Sequence, residues 1–254
     1  MTALVTLIGH GIGYSASPAM HDAAFAALGL DARYELRDVD AGGVAAAVAE
    51  LRGPNRLGAN VTKPHKVGVC DLVDELAADA RRLGAANTIA RDGERLVAHN
   101  TDLAALAAEL PLHRPRRAVV LGAGGASRAA VAALEDAGCV SVDVLDRRTW
   151  NHMADALMTA DLLVNATPIG TASDESPVPA HLLRRDLAVL DLVYRPSPTR
   201  LVREARAAGA QARGGAGMLL RQAVASFELW IGRRAPAATM RGALHAELGS
   251  EADA

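Results

Sequence analysis

The stretch AVVLGAGGASRA, Ala118 to Ala129, decides the fold. An apolar run, Ala118–Leu121, reads as a buried strand and passes straight into GAGGAS. Gly122, Gly124 and Ser127 occupy the three small-residue positions of a G-x-G-x-x-G turn, and helical apolar spacing follows over 126–137. The first glycine permits the tight turn. The second lets backbone approach a pyrophosphate, and the third small residue lets helix pack close on strand. The amides of Gly125, Ala126 and Ser127 then open a helix whose dipole favours an anion. Such a loop alone is also an ordinary tight turn. Here the next strand, 141–145, ends at Asp146, where an acidic residue binds ribose hydroxyls in this kind of unit. Arg147 and Arg148 follow it. The acid argues for NAD, the arginines for a 2′-phosphate, so NAD is the first expectation and NADP the second.

Working outward, strands and helices alternate in both halves. Strands are expected at 3–8, 33–39, 58–62, 118–121, 141–145, 162–165 and 188–192. A hairpin (87–91 and 95–98) is expected around the turn Asp92-Gly93. Helices are expected at 19–28, with Ser17 as N-cap, Pro18 at its first position and Gly29 closing it, and at 41–51. Two further helical stretches are expected within 64–83, and others at 100–110, 150–160, 218–232 and 236–248. This alternation argues for an α/β protein with parallel sheets. Pro111 and Pro115 bracket a linker. Residues 1–103, with 218–254 packing back, read as a substrate domain, and 104–217 as a Rossmann-type dinucleotide domain, with a cleft between them. Residues 147–164 have room for one crossover of ~10–12 residues, not two. The Rossmann sheet is therefore expected to be trimmed, leaving the adenine pocket short of one wall.

Bulk composition narrows the class. The formal charge of −2 attracts neither nucleic acid nor an anionic membrane. Cys70 and Cys139 form no disulfide framework and no metal spacing. The start, MTALVTLIGH, has no basic leader, and no run reaches the ~20 apolar residues of a membrane span. The expectation is a cytoplasmic protein without a metal.

The chemistry-bearing motif is GANVTKPHK, Gly58 to Lys66, with NTD further on at Asn100–Asp102. A lysine at a strand–turn junction and a carboxylate elsewhere can form a proton-transfer pair. By residue type alone, Lys66 is equally a surface lysine and Asp102 a helix N-cap.

Taken together, SASPAMHDAAF (15–25), GANVTKPHK, GAANT (84–88), NTD, GAGGASRA (122–129), NATPIG (165–170), DLVYRPSPT (191–199) and GAGMLLRQAVASFELWIG (215–232) resemble the shikimate/quinate dehydrogenase family, in order and over nearly the whole chain. The resemblance implies reversible oxidation of a ring hydroxyl to a ketone, with Lys66 handling the proton and Asp102 orienting and tuning it. It implies substrate binding by Ser15, Ser17, Thr62, Asn87, Tyr194 and Gln222. Cofactor binding would fall to Gly122, Gly124, Gly125, Ala126, Ser127, Asp146, Arg147, Thr167, Gly215 and Met218. Asn60 is expected to support its loop, His21 to be a helix residue and His65 to face the turn. The chain departs from the family where Gly11 and Tyr14 replace a proline and a histidine, where Leu103-Ala104 lacks a glycine, and where Gly214 replaces an acid. The loop change resembles the NAD-using quinate/shikimate branch, whereas Ser17 favours shikimate. Quinate, an amino analogue, or a non-catalytic metabolite-binding regulator are the alternatives. The expected partner is a small hydroxy-carboxylate, with no nucleic acid and no membrane, and the expected assembly is a monomer or a homodimer.

Overall fold

A computed structural model describes residues 1–110 and 115–249. Pro111 and the adjoining part of the expected linker, and residues 250–254, lie outside them. The chain divides into two compact units, one of Met1–Asp102 with Leu220–Glu247 and one of Leu103–Leu219 with the chain end from Leu248.

The first unit contains β1 (Ala3–Gly9), α1 (Ser17–Ala27), β2 (Ala32–Asp38), α2 (Val44–Ala49), β3 (Arg56–Val61), β4 (Glu75–Leu76), α3 (Ala78–Leu83), β5 (Thr88–Asp92) and β6 (Arg95–His99). α4 (Thr101–Glu109) carries the chain out, and α8 (Ala216–Ile231) returns it, followed by α9 (Ala237–Leu248). The sheet order is β2-β1-β3-β5-β6-β4. The sheet is mixed: the expected hairpin forms as β5–β6, and β3–β5 also pairs antiparallel, against the expectation of a parallel sheet. The Asp92-Gly93 turn is too short for the crossover that parallel neighbours require. One side of this sheet is filled by Ile8, Val48, Leu51, Val61, Val69, Ile89 and Leu96.

The expected helix after Pro64 is also corrected. The chain makes a 3-10 turn at Gly68–Leu72 and then β4, which pairs with β6. Gly68 and the β-branched Val67, Val69 and Val73 disfavour a helix there. The Asp74 carboxylate accepts from the Leu96 amide (2.7 Å) and from Arg52, which ties the segment to the sheet. α2 begins three residues later than expected, because Asp40 Oδ1 accepts from the amides of Gly42 and Gly43 and holds that stretch in a turn. Ser17 is not the N-cap of α1. It is the first helical residue, and its amide donates to Ser15 Oγ at 3.2 Å.

The second unit has β7 (Arg117–Leu121), α5 (Gly125–Asp136), β8 (Ser141–Leu145), α6 (Met153–Thr159), β9 (Leu162–Asn165), β10 (Ala188–Asp191), α7 (Arg200–Ala207) and β11 (Ala212–Arg213). All pairings are parallel, in the order β11-β10-β9-β7-β8. β8 forms an edge, because the short segment before β9 supplies no further strand outside it. Val119, Leu121, Leu163, Val189, Leu201 and Val202 lead the core. Among the described residues no helix is long and apolar enough to cross a membrane.

Candidate active site

In the first unit, Lys66 Nζ lies 2.6 Å from Asp102 Oδ2, with the side chains 15% and 3% exposed. Lys66 is placed by a turn in which the His65 amide donates to the Thr62 carbonyl (2.9 Å). Asp102 sits in the first turn of α4, where the helix dipole favours a carboxylate. Asn87, at the mouth of β5, joins the parts. Its Nδ2 donates to Asp102 Oδ1 (2.9 Å) and Thr101 Oγ1 (2.9 Å) and lies 3.5 Å from Gln222 Oε1. Its Oδ1 accepts the Thr101 amide (2.8 Å). Both carboxylate oxygens of Asp102 are thus engaged, one by a cation and one by an amide.

Beneath this cluster lies a buried polar layer. Asn60 Nδ2 donates to the Asn87 carbonyl, Thr88 Oγ1 and Ser226 Oγ, and its Oδ1 accepts from the Tyr34 hydroxyl. Thr88, Thr101 and Ser226 were not singled out from sequence. Thr101 stood inside NTD, and Ser226 lies one helical turn after Gln222, so spacing alone could have found both. His65 is buried, and its Nε2 meets the Val39 carbonyl at 2.8 Å, so it braces the turn from within. His21 lies in α1, fully buried, stacked on Tyr34 and flanked by Phe25, Phe227 and Trp230. Neither ring nitrogen has a partner among the described residues, and burial pushes its pKa down to about 3.

The loop before Ser15 is anchored by Asp38, whose carboxylate accepts the amides of Gly11 (3.0 Å) and Ile12 (3.2 Å) and pairs with His10. The Gly11 amide above all holds the Asp38 carboxyl below its usual range. Thr62 follows β3, and its amide donates to the Ile8 carbonyl. Ser15 and Ser17 stand at the start of α1.

In the second unit, Gly122 has φ +110, and a Cβ there would meet the Ala166 carbonyl at 2.9 Å. Gly124 is the extended N-cap of α5, with nothing within 4 Å of a Cβ position. The amides of Gly125, Ala126 and Ser127 therefore open the helix beside a bare backbone edge, the arrangement a pyrophosphate needs. Asp146 is drawn into its own turn. It accepts from the Arg148 amide (2.8 Å), the Arg148 guanidinium and the Thr149 amide (3.2 Å), and these bonds, the Arg148 amide first, lower its pKa. Arg147 is exposed and has no carboxylate partner among the described residues. Thr167 donates to Asn165 Oδ1 at 2.7 Å. Gly215, Met218 and Tyr194 also belong to this unit. Tyr194 is thus in a different unit from the other expected substrate residues. A Cβ on Gly215 would lie 2.3 Å from the Leu192 carbonyl oxygen, so only glycine fits there.

Residues 7–89 match the family described as the shikimate dehydrogenase substrate binding domain, and residues 215–245 match the shikimate 5′-dehydrogenase C-terminal domain. A shikimate dehydrogenase (NADP(+)) of Halorubrum lacusprofundi is 43% identical over 95% of this chain and 98% of its own. The crystal structure of shikimate 5-dehydrogenase from Thermus thermophilus in complex with NADP(H) and shikimate is 37% identical. It has a TM-score of 0.84 over 97% of this chain and 100% of that one. A shikimate 5-dehydrogenase from Listeria monocytogenes in complex with shikimate and NAD is 29% identical, with TM-score 0.76 over 96% of each chain.

Proposed function

The chain belongs to the shikimate dehydrogenase family, and from that premise we propose that it interconverts shikimate and 3-dehydroshikimate with NADP as hydride carrier. The observation that carries this is the Lys66–Asp102 pair, its carboxylate buried and fixed by Asn87. When the ring hydroxyl is oxidised, its proton must leave as hydride departs from the same carbon. Lys66 Nζ, as the free amine, takes that proton, and as the ammonium returns it in the reverse direction. Asp102 Oδ2, 2.6 Å away, holds the ammonium in place. A metabolite-binding regulator has little use for such a pair.

The neutral groups of Thr62, Asn87 and Gln222 suit a polyhydroxylated ring, because each can donate or accept. Ser15 and Ser17, at the start of α1, suit the substrate carboxylate. The family resemblance assigns Tyr194 a substrate-binding role as well. Retention of Ser17 favours shikimate over quinate. We take the first unit as the substrate domain and the second as the cofactor domain.

NADP, when bound, supplies the hydride acceptor. Gly122, Gly124, Gly125, Ala126 and Ser127 would hold its pyrophosphate, and Thr167, Gly215 and Met218 would lie on its nicotinamide side. Asp146 is committed to Arg148 and Thr149, which leaves Arg147 to meet a 2′-phosphate. This supports NADP over the first expectation of NAD, as do the NADP-dependent relatives. The test is to combine shikimate or quinate with NADP or NAD and follow nicotinamide absorbance. Turnover should be fastest with shikimate and NADP. No reduction in any of the four mixtures would refute the reading.

A further inference from the structure

The second unit contains a buried carboxylate that the proposed chemistry does not use. Asp191 ends β10 and is 1% exposed. Its Oδ1 accepts from Asn165 Nδ2 (2.8 Å) and from the Val193 amide (3.1 Å), and its Oδ2 accepts from Thr199 Oγ1 (2.6 Å). Asn165 is itself fully buried at the end of β9. With its amide nitrogen engaged by Asp191, its Oδ1 is turned toward the following loop, where it accepts the Thr167 amide (3.0 Å) and hydroxyl (2.7 Å). Thr167 Oγ1 in turn accepts the Ile169 amide. The same loop lies against the pyrophosphate turn, where the Ala166 carbonyl and the Thr167 methyl occupy the space a Cβ on Gly122 would need.

We propose that Asp191 is a positioning residue for the cofactor: through Asn165 it holds the loop 166–169 in the shape that packs on Gly122, and through the Val193 amide it fixes the start of the loop bearing Tyr194. Asn165 can present either face of its amide to Thr167. Two acceptors commit the nitrogen and so turn the oxygen to Thr167: Asp191 Oδ1 at 2.8 Å, the nearer and charged one, and the Ile169 carbonyl at 3.4 Å. An uncharged apolar residue at 191 would leave the nitrogen only the long contact with the Ile169 carbonyl, and so loosen that choice. Thr199 serves the carboxylate from the other side and also caps α7, through the Val202 amide. It therefore contributes to stability without reaching the loop. This inference rests on the reading of the second unit as the NADP domain.

The experiment measures NADP+ dissociation constants and melting temperatures for the wild type, Asp191→Ala, Asp191→Asn and Thr199→Val. Asp191→Ala is expected to weaken NADP+ by ~10–100-fold, the loss of a charge-assisted hydrogen bond that orders the loop. Asp191→Asn keeps an oxygen facing Asn165 and turns its NH2 to Thr199, so it should bind within about threefold of wild type. Thr199→Val should lower the melting temperature and leave NADP+ affinity within about threefold. If Asp191→Ala does not fold, Asp191→Ser replaces it, since a serine cannot reach Asn165 and Thr199 together. Unchanged affinity in the Ala or Ser variant, no rescue by Asn, or an equal affinity loss in Thr199→Val would overturn the proposal. A wild type that binds no NADP+ would overturn the cofactor reading as well, which separates the two failures.

Discussion

Replacing Lys66 by arginine separates charge from proton transfer. At the 2.6 Å Lys66–Asp102 separation, and an effective dielectric of ~20, the attraction is roughly 6 kcal/mol, most of it offset by desolvating two ions. Deleting the cation in Lys66→Ala leaves Asp102, 3% exposed, with Asn87 Nδ2 as its side-chain donor. A buried pair broken this way costs ~3–5 kcal/mol, and the 15% exposure of Lys66 places this site at the lower end. Lys66→Arg retains the charge and can donate to the same carboxylate, so its melting temperature should stay close to wild type. A guanidinium does not release its proton at working pH. The turnover number of Lys66→Arg should therefore fall by the ~10²–10⁴-fold of a lost general acid/base, a barrier increase of ~3–5 kcal/mol, while KM for shikimate changes little. Steady-state absorbance assays with shikimate and NADP, run beside thermal melts, measure both quantities. A Lys66→Arg enzyme that keeps a tenth or more of the wild-type kcat would remove Lys66 from proton transfer.

Three further outcomes are expected. Arg147→Ala should weaken NADP by ~10–100-fold and NAD by no more than about twofold, and an equal loss for both in paired KM measurements would contradict its 2′-phosphate assignment. Gly215→Ala places a Cβ 2.3 Å from the Leu192 carbonyl oxygen, a backbone atom that cannot rotate away, and should cost ~1–3 kcal/mol in urea unfolding; unchanged stability would show that the backbone there gives way freely. His21 has a folded pKa of about 3 against an ordinary value of 6.5. The unfolded chain therefore binds the extra proton first, and stability falls as pH drops from about 6.5 toward 3, by at most ~1.4 kcal/mol per unit. His21→Phe should flatten that acid limb in melts recorded between pH 4 and pH 7, and an unaltered slope would show that another group sets it.

Much of the fold was legible because it is written locally. The run Ala118–Leu121 followed by GAGGAS requires a strand, a tight turn and a helix whatever surrounds it, and the shortness of 147–164 excludes a second crossover by chain length alone. The reading failed after Pro64 for want of a distant partner, and at the starts of α1 and α2 because of local hydrogen bonds it did not resolve. The segment after Pro64 has an apolar pattern compatible with a helix, yet Asp74 is claimed by Arg52 and the Leu96 amide, and β4 pairs with β6. Ser17 has the residue type and position of an N-cap, yet Ser15 takes its amide and the helix begins one residue early.

The site divides in the same way. Sequence by itself determined the α/β class, the glycine turn after β7 and the residues from which the candidate site is drawn, because glycines at tight turns and ionisable groups at strand ends are local requirements. Only the tertiary structure brought Lys66 to 2.6 Å from Asp102 and set Ser226 beside Asn60 and Thr88. It also gathered both phenylalanines around a histidine with no hydrogen bond among the described residues. Periodicity records which face of an element is buried. It does not record which distant side chain waits there, and hydrogen bonds between groups far apart in the chain are satisfied by that choice.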